Sequence, residues 1–284
     1  MDFAIVVDST CDFAPGELSE LGVAMVPLTI TVGGRDYRDQ EEVSNEEFYR
    51  LMSESETLPQ TSQPSPFSFV RAYGKLAEEG YRNIMSIHLA SPLSGTIGSA
   101  TSAAAESEAC VRVIDSTGAT ASTALLVQYA VRLRDEGVPF EEACAAVEAR
   151  KGDVGFAVAC DTLENLLKGG RLTPDQANTA SMLNIKPLFS FDENGVLYAS
   201  GKAKGSRGVV KAYVEAIEKA SAEQGRHYVR FCHVDNPSAV ENVKRALAEA
   251  GVDYDDAGSA SCGATVATHL GIGAFGVAYM PVGQ

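Results

Sequence analysis

Short apolar runs alternate with longer amphipathic stretches along most of the chain. Phe3 to Val7 is an apolar run closed by Asp8-Ser9-Thr10, which predicts a buried strand entering a capped turn. Val23 to Val32 predicts a second strand, interrupted at Pro27 and ended by Gly33-Gly34. Ser44 and Glu47 form a capping box opening a helix through about Met52, and Pro66 to Glu79 carries a second helical pattern. Strands are predicted at Asn83 to His88 and Val111 to Ile114. Each is followed by a hydroxyl-rich turn and a helix, the first reaching about Glu108 and the second running from about Thr120 to Glu136. This alternation predicts an α/β domain with a mostly parallel sheet.

A helix from Phe140 to Lys151 precedes a new strand at Val154 to Ala159, which places a domain boundary near residue 153. The expected division is therefore an N-terminal α/β domain, 1–153, and a C-terminal α+β domain, 154–284. In the second part a helix begins at Thr162, the turn Lys168-Gly169-Gly170-Arg171 follows, and a short helix is predicted before Ile185. Strands at Pro187 to Phe191 and Val196 to Ser200 are joined by Asp192-Glu193-Asn194-Gly195, a hairpin signal. A long helix from Ser206 to Ala222, a strand at Tyr228 to Val234, a helix opened by Asn236-Pro237-Ser238 and a closing strand at Phe275 to Met280 complete the pattern.

Composition narrows the function. The 284 residues hold 23 Lys and Arg against 38 Asp and Glu, a net charge of −15. Nucleic acid and anionic membrane surfaces need clustered cations to displace counterions, so both are disfavoured as partners. The six cysteines contain no C-x-x-C pair and no histidine at zinc-site spacing, so no metal cofactor is expected, and scattered thiols fit a reducing compartment. The short, acid-flanked apolar run at the N-terminus lacks the basic region of a secretory signal, which predicts a cytoplasmic protein. Two stretches, 83–105 and 257–284, carry no Asp, Glu, Lys or Arg. Their Ser, Thr, His, Gly and Pro content argues against membrane insertion and predicts buried loops that approach a ligand.

The standard catalytic fingerprints are missing. Gly271-Ile272-Gly273-Ala274-Phe275-Gly276 matches G-x-G-x-x-G but has no strand before it and too little chain after it for a dinucleotide fold, so the glycines read as tight turns. No phosphate-binding loop, G-x-S-x-G or H-E-x-x-H occurs. What remains is a set of hydroxyls at turns. Gln60-Thr61-Ser62-Gln63 precedes one helix, and Ser91-Pro92-Leu93-Ser94-Gly95-Thr96 follows a strand. Such turns either cap helices or receive an anion on free backbone N–H groups. Arg171 offers a planar fork to a carboxylate, or is a solvent-exposed loop residue. His269 in the uncharged C-terminal stretch either donates to the same anion or is a satisfied core residue. Ser94 with His269 would also suit an acyl hydrolase, though no third, orienting group is evident.

Seven motifs occur in order: Asp8-Ser9-Thr10, Thr61-Ser62-Gln63-Pro64-Ser65-Pro66, Ser94-Gly95-Thr96, Ile114-Asp115-Ser116, Lys168-Gly169-Gly170-Arg171, Leu183-Asn184-Ile185-Lys186-Pro187 and His269 with Gly271 and Gly273. Together they resemble the DegV family over nearly the whole chain. The resemblance implies a two-domain α/β protein holding one long-chain fatty acid between its domains, without catalysis of its own or any cofactor. Some members serve as the binding subunit of a bacterial fatty acid kinase, whose separate kinase subunit phosphorylates the carboxylate. Carried over, Thr61, Ser62 and Ser94 receive the carboxylate, with Arg171 and His269 close to it. Ile272 departs from the family, which often has proline between the two glycines.

Overall fold

The first strand, β1 (Ala4–Asp8), has all five residues buried because helices cover both faces of its sheet. The computed structural model describes residues 2–173 and 184–283, so the short helix expected before Ile185 lies outside the described residues. After β1 come a one-turn helix α1 (Glu17–Glu20), β2 (Val23–Val26), β3 (Thr29–Val32), β4 (Arg35–Arg38), α2 (Asn45–Glu54), β5 (Gln60–Ser62) and α3 (Pro66–Glu78). Then follow β6 (Asn83–His88), α4 (Thr96–Ala104), β7 (Cys110–Asp115), α5 (Ala121–Asp135) and α6 (Phe140–Arg150).

Strands β2, β1, β6 and β7 lie side by side in that order, all parallel. Strand periodicity sends alternate residues of β1 to opposite layers. Ala4 and Val6 pack with Phe69, Tyr73 and Ala100 of α3 and α4. Ile5 and Val7 pack with Ala124, Val127 and Val147 of α5 and α6. Helix α5 is buried nearly all round, because it packs on two sides. Ala124 and Val127 face the parallel sheet, while Ala121, Leu125 and Leu126 enter a second core formed with the rest of the chain.

That remainder runs through β8 (Gly155–Ala159), α7 (Glu164–Lys168), β9 (Ile185–Phe191), β10 (Leu197–Lys204), α8 (Gly205–Gln224) and β11 (His227–His233). It ends with α9 (Pro237–Glu249), β12 (Tyr254–Ser261), α10 (Ala264–Leu270) and β13 (Phe275–Pro281). A mixed sheet has the order β10-β9-β8-β13-β11-β12, with the predicted β9–β10 hairpin at one edge. Helices α8 and α9 cover one face through Val209, Ile217, Val243 and Leu247. The other face turns Phe156, Val158 and Met280 towards α5 and α10, so the two sheets share α5 between them.

Three expectations change. The single strand expected from Val23 to Val32 is two strands in different sheets. Pro27 has no N–H to give to the ladder, and the next N–H, of Leu28, donates to Ser9 Oγ at 3.1 Å. Strand β3 therefore leaves the parallel sheet and joins β4 and β5 in a small antiparallel one. Gly33 and Gly34 do more than end a strand, because both have positive φ (58° and 80°) and close the two-residue β3–β4 hairpin. The uncharged stretches are only in part loops. Residues 83–105 form β6 and α4 joined by the loop 89–95, and residues 257–284 contain the end of β12, α10 and β13. They lack charge because they are largely buried.

Candidate functional site

A cavity of about 660 Å³ of space free of protein atoms, mouth included, opens between the parallel sheet and the mixed sheet. Elements from both halves of the chain build it. Leu28, Leu89, Phe156, Val158, Phe191 and Leu197 supply apolar wall, with Val266 and Leu270 from α10. Phe156 and Phe191 stack on neighbouring strands at 5.1 Å and 23°.

Polar lining groups collect in one place. Strand β5 turns Thr61 inward, and its Oγ1 lies 3.0 Å from His269 Nε2 at the end of α10. Helix α7 ends at Gly169 and Gly170, the latter with φ 71°, which returns the chain so that Arg171 enters the cavity. Arg171 Nε donates to the Leu93 carbonyl at 3.1 Å and Nη1 donates to the Gly169 carbonyl at 2.6 Å. The guanidinium thus ties the turn carrying Ser94 to the end of α7. Ser94 Oγ lies 2.9 Å from Thr96 Oγ1 and accepts from the Thr96 N–H at the start of α4.

No carboxylate lines the cavity among the described residues, and Arg171 is the one cation there. Burial pushes the His269 imidazole down to about 3, with the positive Arg171 adding to the effect, so it is neutral at physiological pH. Burial also lowers the Arg171 guanidinium from its ordinary value. His269 Nδ1 is buried without a partner against Gly169, where a Cβ would sit 2.5 Å from it. The other lining threonines have their hydroxyls tied away from the cavity. Thr10 Oγ1 donates to Asp8 and Thr265 Oγ1 to Asp39, while Thr120 Oγ1 contacts Cys262 Sγ.

Of the residues singled out in the sequence, Thr61, Ser94, Arg171 and His269 come together around this cavity. Ser62 does not line it. Successive side chains of a strand point to opposite faces, and with Thr61 inward Ser62 is exposed on the far side of β5. Gln63, which sequence reasoning passed over, does line the cavity. It packs so closely on Gly95 that no Cβ fits there, and its Nε2 donates to Ser99 Oγ. Asp8 caps the turn after β1, as its position suggested. Gly271 and Gly273, with φ 81° and 88°, make the turn into β13, and no helix follows Gly276.

Hydrolase chemistry finds little support. Among the described residues no hydrogen bond joins Ser94 to His269, because each is paired elsewhere. A triad-like chain does run from Asp8 Oδ2 to His88 Nδ1 (3.0 Å) and from His88 Nε2 to Ser86 Oγ (2.7 Å), but all three residues are at most 1% exposed and Ser86 lines no described cavity. No group of three metal-ligating side chains occurs among the described residues. No helix among them is long and apolar enough to cross a membrane.

Comparison with known proteins places this geometry. Residues 2–282 match the family described as "Uncharacterised protein, DegV family". A DegV domain-containing protein of Deinococcus radiodurans is 32% identical over 99% of both chains. A DegV family protein from Thermus thermophilus, described by its fatty acid binding, superposes with a TM-score of 0.92 at 31% identity, covering 99% of this chain and 100% of the other. A DegV lipid-binding protein from Thermotoga maritima gives 0.89 at 27% identity over the full length of both. With nearly every residue matched and the same architecture in both sheets, the chain belongs to the DegV family.

Proposed function

We propose that this protein binds one long-chain fatty acid in the cavity between its two halves, 1–153 and 154–284. The observation that carries this reading is the segregation within the cavity. A single cation, a neutral imidazole and two hydroxyls sit together, and the remaining wall is apolar or has its polar atoms turned away. The fatty acid and lipid binding of the Thermus and Thermotoga relatives supports it.

In this reading Thr61 and Ser94 donate to the carboxylate, Arg171 provides the nearby positive charge, and Ser62 takes no part. Burying roughly 15 methylenes at about 0.8 kcal/mol each gives a gross ~12 kcal/mol before the costs of ordering and association. The apolar wall therefore supplies most of the affinity, and the head-group residues set orientation. Arg171 is already bonded to two carbonyls, so it meets the carboxylate with its remaining N–H groups rather than as a deep ion pair. A carboxylate held this way stays reactive, which suits a cytoplasmic carrier that presents it to a separate fatty acid kinase.

Organic extraction of the purified protein followed by mass spectrometry tests the reading. A stoichiometric long-chain fatty acid is expected. Finding no lipid, together with no binding of added oleate or palmitate, would overturn it.

A further inference from the structure

Helix α10 carries Thr265, Val266, His269 and Leu270 of the cavity, yet its own sequence does not cap it. Gly263 stands at the N-cap position and has no side chain to receive the first backbone N–H groups of the helix. Carboxylates from the other half of the chain receive them instead. Asp39 Oδ1 accepts from the Ala264 N–H at 2.8 Å, and Asp39 Oδ2 accepts from the Thr265 N–H at 3.3 Å and from its hydroxyl at 2.7 Å. The Ser9 hydroxyl donates to the same Oδ2 at 2.9 Å, and Asp12 Oδ1 accepts from the Gly263 N–H at 2.7 Å. Asp39 is fully buried, and a Cβ at Gly263 would lie 3.0 Å from its Oδ1. Glycine at the helix start thus gives the distant cap its close approach.

Asp39 belongs to the small antiparallel sheet. It follows the last residue of β4, and its N–H continues that ladder by donating to the Leu28 carbonyl at 2.9 Å. In the order β4-β3-β5, Tyr37 pairs with Ile30 and Ile30 pairs with Thr61. Directly paired residues put their side chains on one face, and Asp39, two positions beyond Tyr37, continues that face. Ile30, on the same face, shares a core with Val266 and Ala267 of α10. The helix therefore lies across the small sheet, held by Asp39 at its start and meeting Thr61 through His269 at its end. The spans agree. Five residues of helix from Ala264 to His269 rise about 7.5 Å, and the two outer strands of a three-stranded sheet stand about 9.6 Å apart.

We propose that Asp39 is a positioning residue for the head-group site: by fixing the start of α10 on the sheet that carries Thr61, it sets the contact of His269 with Thr61 and the place of Val266 and Leu270 in the cavity wall. Its carboxylate is suited to this because four donors, from Ser9, Ala264 and Thr265, fill its acceptor sites. Removing it leaves the Ala264 and Thr265 N–H groups buried without that partner, a cost that α10 relieves by shifting. The seven residues of α10 make only about two turns, so a shift at its start is carried to His269 at its end. The geometric role stands apart from the proposed function, whereas its effect on affinity rests on that reading.

The test compares Asp39→Ala and Asp39→Asn with the wild type in the full-length protein. Asparagine keeps an acceptor for the Ala264 N–H but sets its amide N–H groups against the Thr265 N–H, so it should behave nearly as alanine does. In ligand-free protein the nitrogen and proton ring signals of His269 in the magnetic resonance spectrum, assigned by their loss in His269→Gln, should shift in both variants. Affinity for a fluorescent long-chain fatty acid should fall about tenfold or more. Glu17→Gln is the control for lost stability, since Glu17 bonds to Arg230 and Ala14 rather than to α10, and it should leave the His269 signals in place. Unmoved His269 signals in Asp39→Ala, or equal movement in Glu17→Gln, overturn the positioning. Moved signals with affinity within about twofold of the wild type overturn its bearing on the cavity. Failure of the wild type to bind any fatty acid counts against the proposed function alone, because the ring signals are read without ligand. Should both Asp39 variants misfold by circular dichroism, Thr265→Val removes one of the four donors and keeps the side-chain shape. His269 signals that move in it support the positioning, and signals that stay overturn it.

Discussion

The Thr61 hydroxyl and Nε2 of His269 lie 3.0 Å apart although 208 positions separate them in the chain. The contact joins β5 of the small antiparallel sheet to the C-terminal turn of α10. The neutral imidazole can accept the Thr61 proton or donate to its oxygen, depending on which ring nitrogen carries the hydrogen.

This pairing sets a pH dependence. Burial and Arg171 depress the His269 pKa to about 3 in the folded protein, against about 6.5 unfolded. The unfolded state therefore binds the extra proton first. The contribution to stability is full above about pH 6.5 and is lost as pH falls towards 3, up to about 5 kcal/mol in all. Thermal melts of ligand-free protein from pH 7 to 4 should fall more steeply for the wild type than for His269→Gln. Parallel curves would show that His269 is not the titrating group.

Gly169 is required by contact rather than by conformation. Its φ of −75° suits any residue, but a Cβ there would sit 2.5 Å from His269 Nδ1 and 2.9 Å from the Asn165 carbonyl. Gly169→Ala should cost about 1–3 kcal/mol and weaken fatty acid binding at least tenfold as His269 is displaced. Gly170→Ala is the control. That position has open space but φ 71°, so it should cost about 1 kcal/mol in urea unfolding and leave binding within about threefold.

Arg171 holds the Leu93 and Gly169 carbonyls through two nitrogens of one planar group. Lysine cannot reproduce that fork. In the proposed role, where most affinity comes from the apolar wall, Arg171→Ala and Arg171→Lys should both reduce phosphorylation of a bound fatty acid by a fatty acid kinase more than they reduce lipid retention. Equal losses in the two assays would mean that Arg171 acts on affinity instead.

Arg230 is fully buried, donates to both carboxylate oxygens of Glu17 at 2.9 and 2.8 Å, and lies 4.5 Å from the Phe13 ring centroid. It joins β11 to α1. Glu17→Gln leaves a buried cation without its counter-charge and should cost about 3 kcal/mol in urea unfolding. Adding Arg230→Met should recover part of the loss, because the uncompensated charge is then gone.

Local physics made much of this molecule legible from the sequence. β1 and β6 were readable because both of their faces are buried, leaving short apolar runs, and the edge strand β7 was readable from Val111, Val113 and Ile114. The Ser44 cap and the Asp192–Gly195 turn announced themselves through residues that act on their own neighbours. The split of residues 23–32 between two sheets was hidden, since Pro27 marks an interruption without saying where the chain goes next. β12 was hidden too. Its sequence, Tyr254 to Ser261, is acidic, glycine-containing and poor in β-branched residues, and it forms a strand at the sheet edge by pairing with β11.

The chain by itself determined its family, its alternation of strands and helices, and the residue types of the proposed head-group site, all of which depend on short spacings or on ordered motifs. Tertiary structure alone decided that Thr61 rather than Ser62 faces the cavity, because strand pairing chooses which alternate face is covered. It also decided that His269 is neutral and that Gly169 must lack a side chain. Each of these depends on elements that are far apart in sequence packing against one another, and burial and contact are properties of that packing.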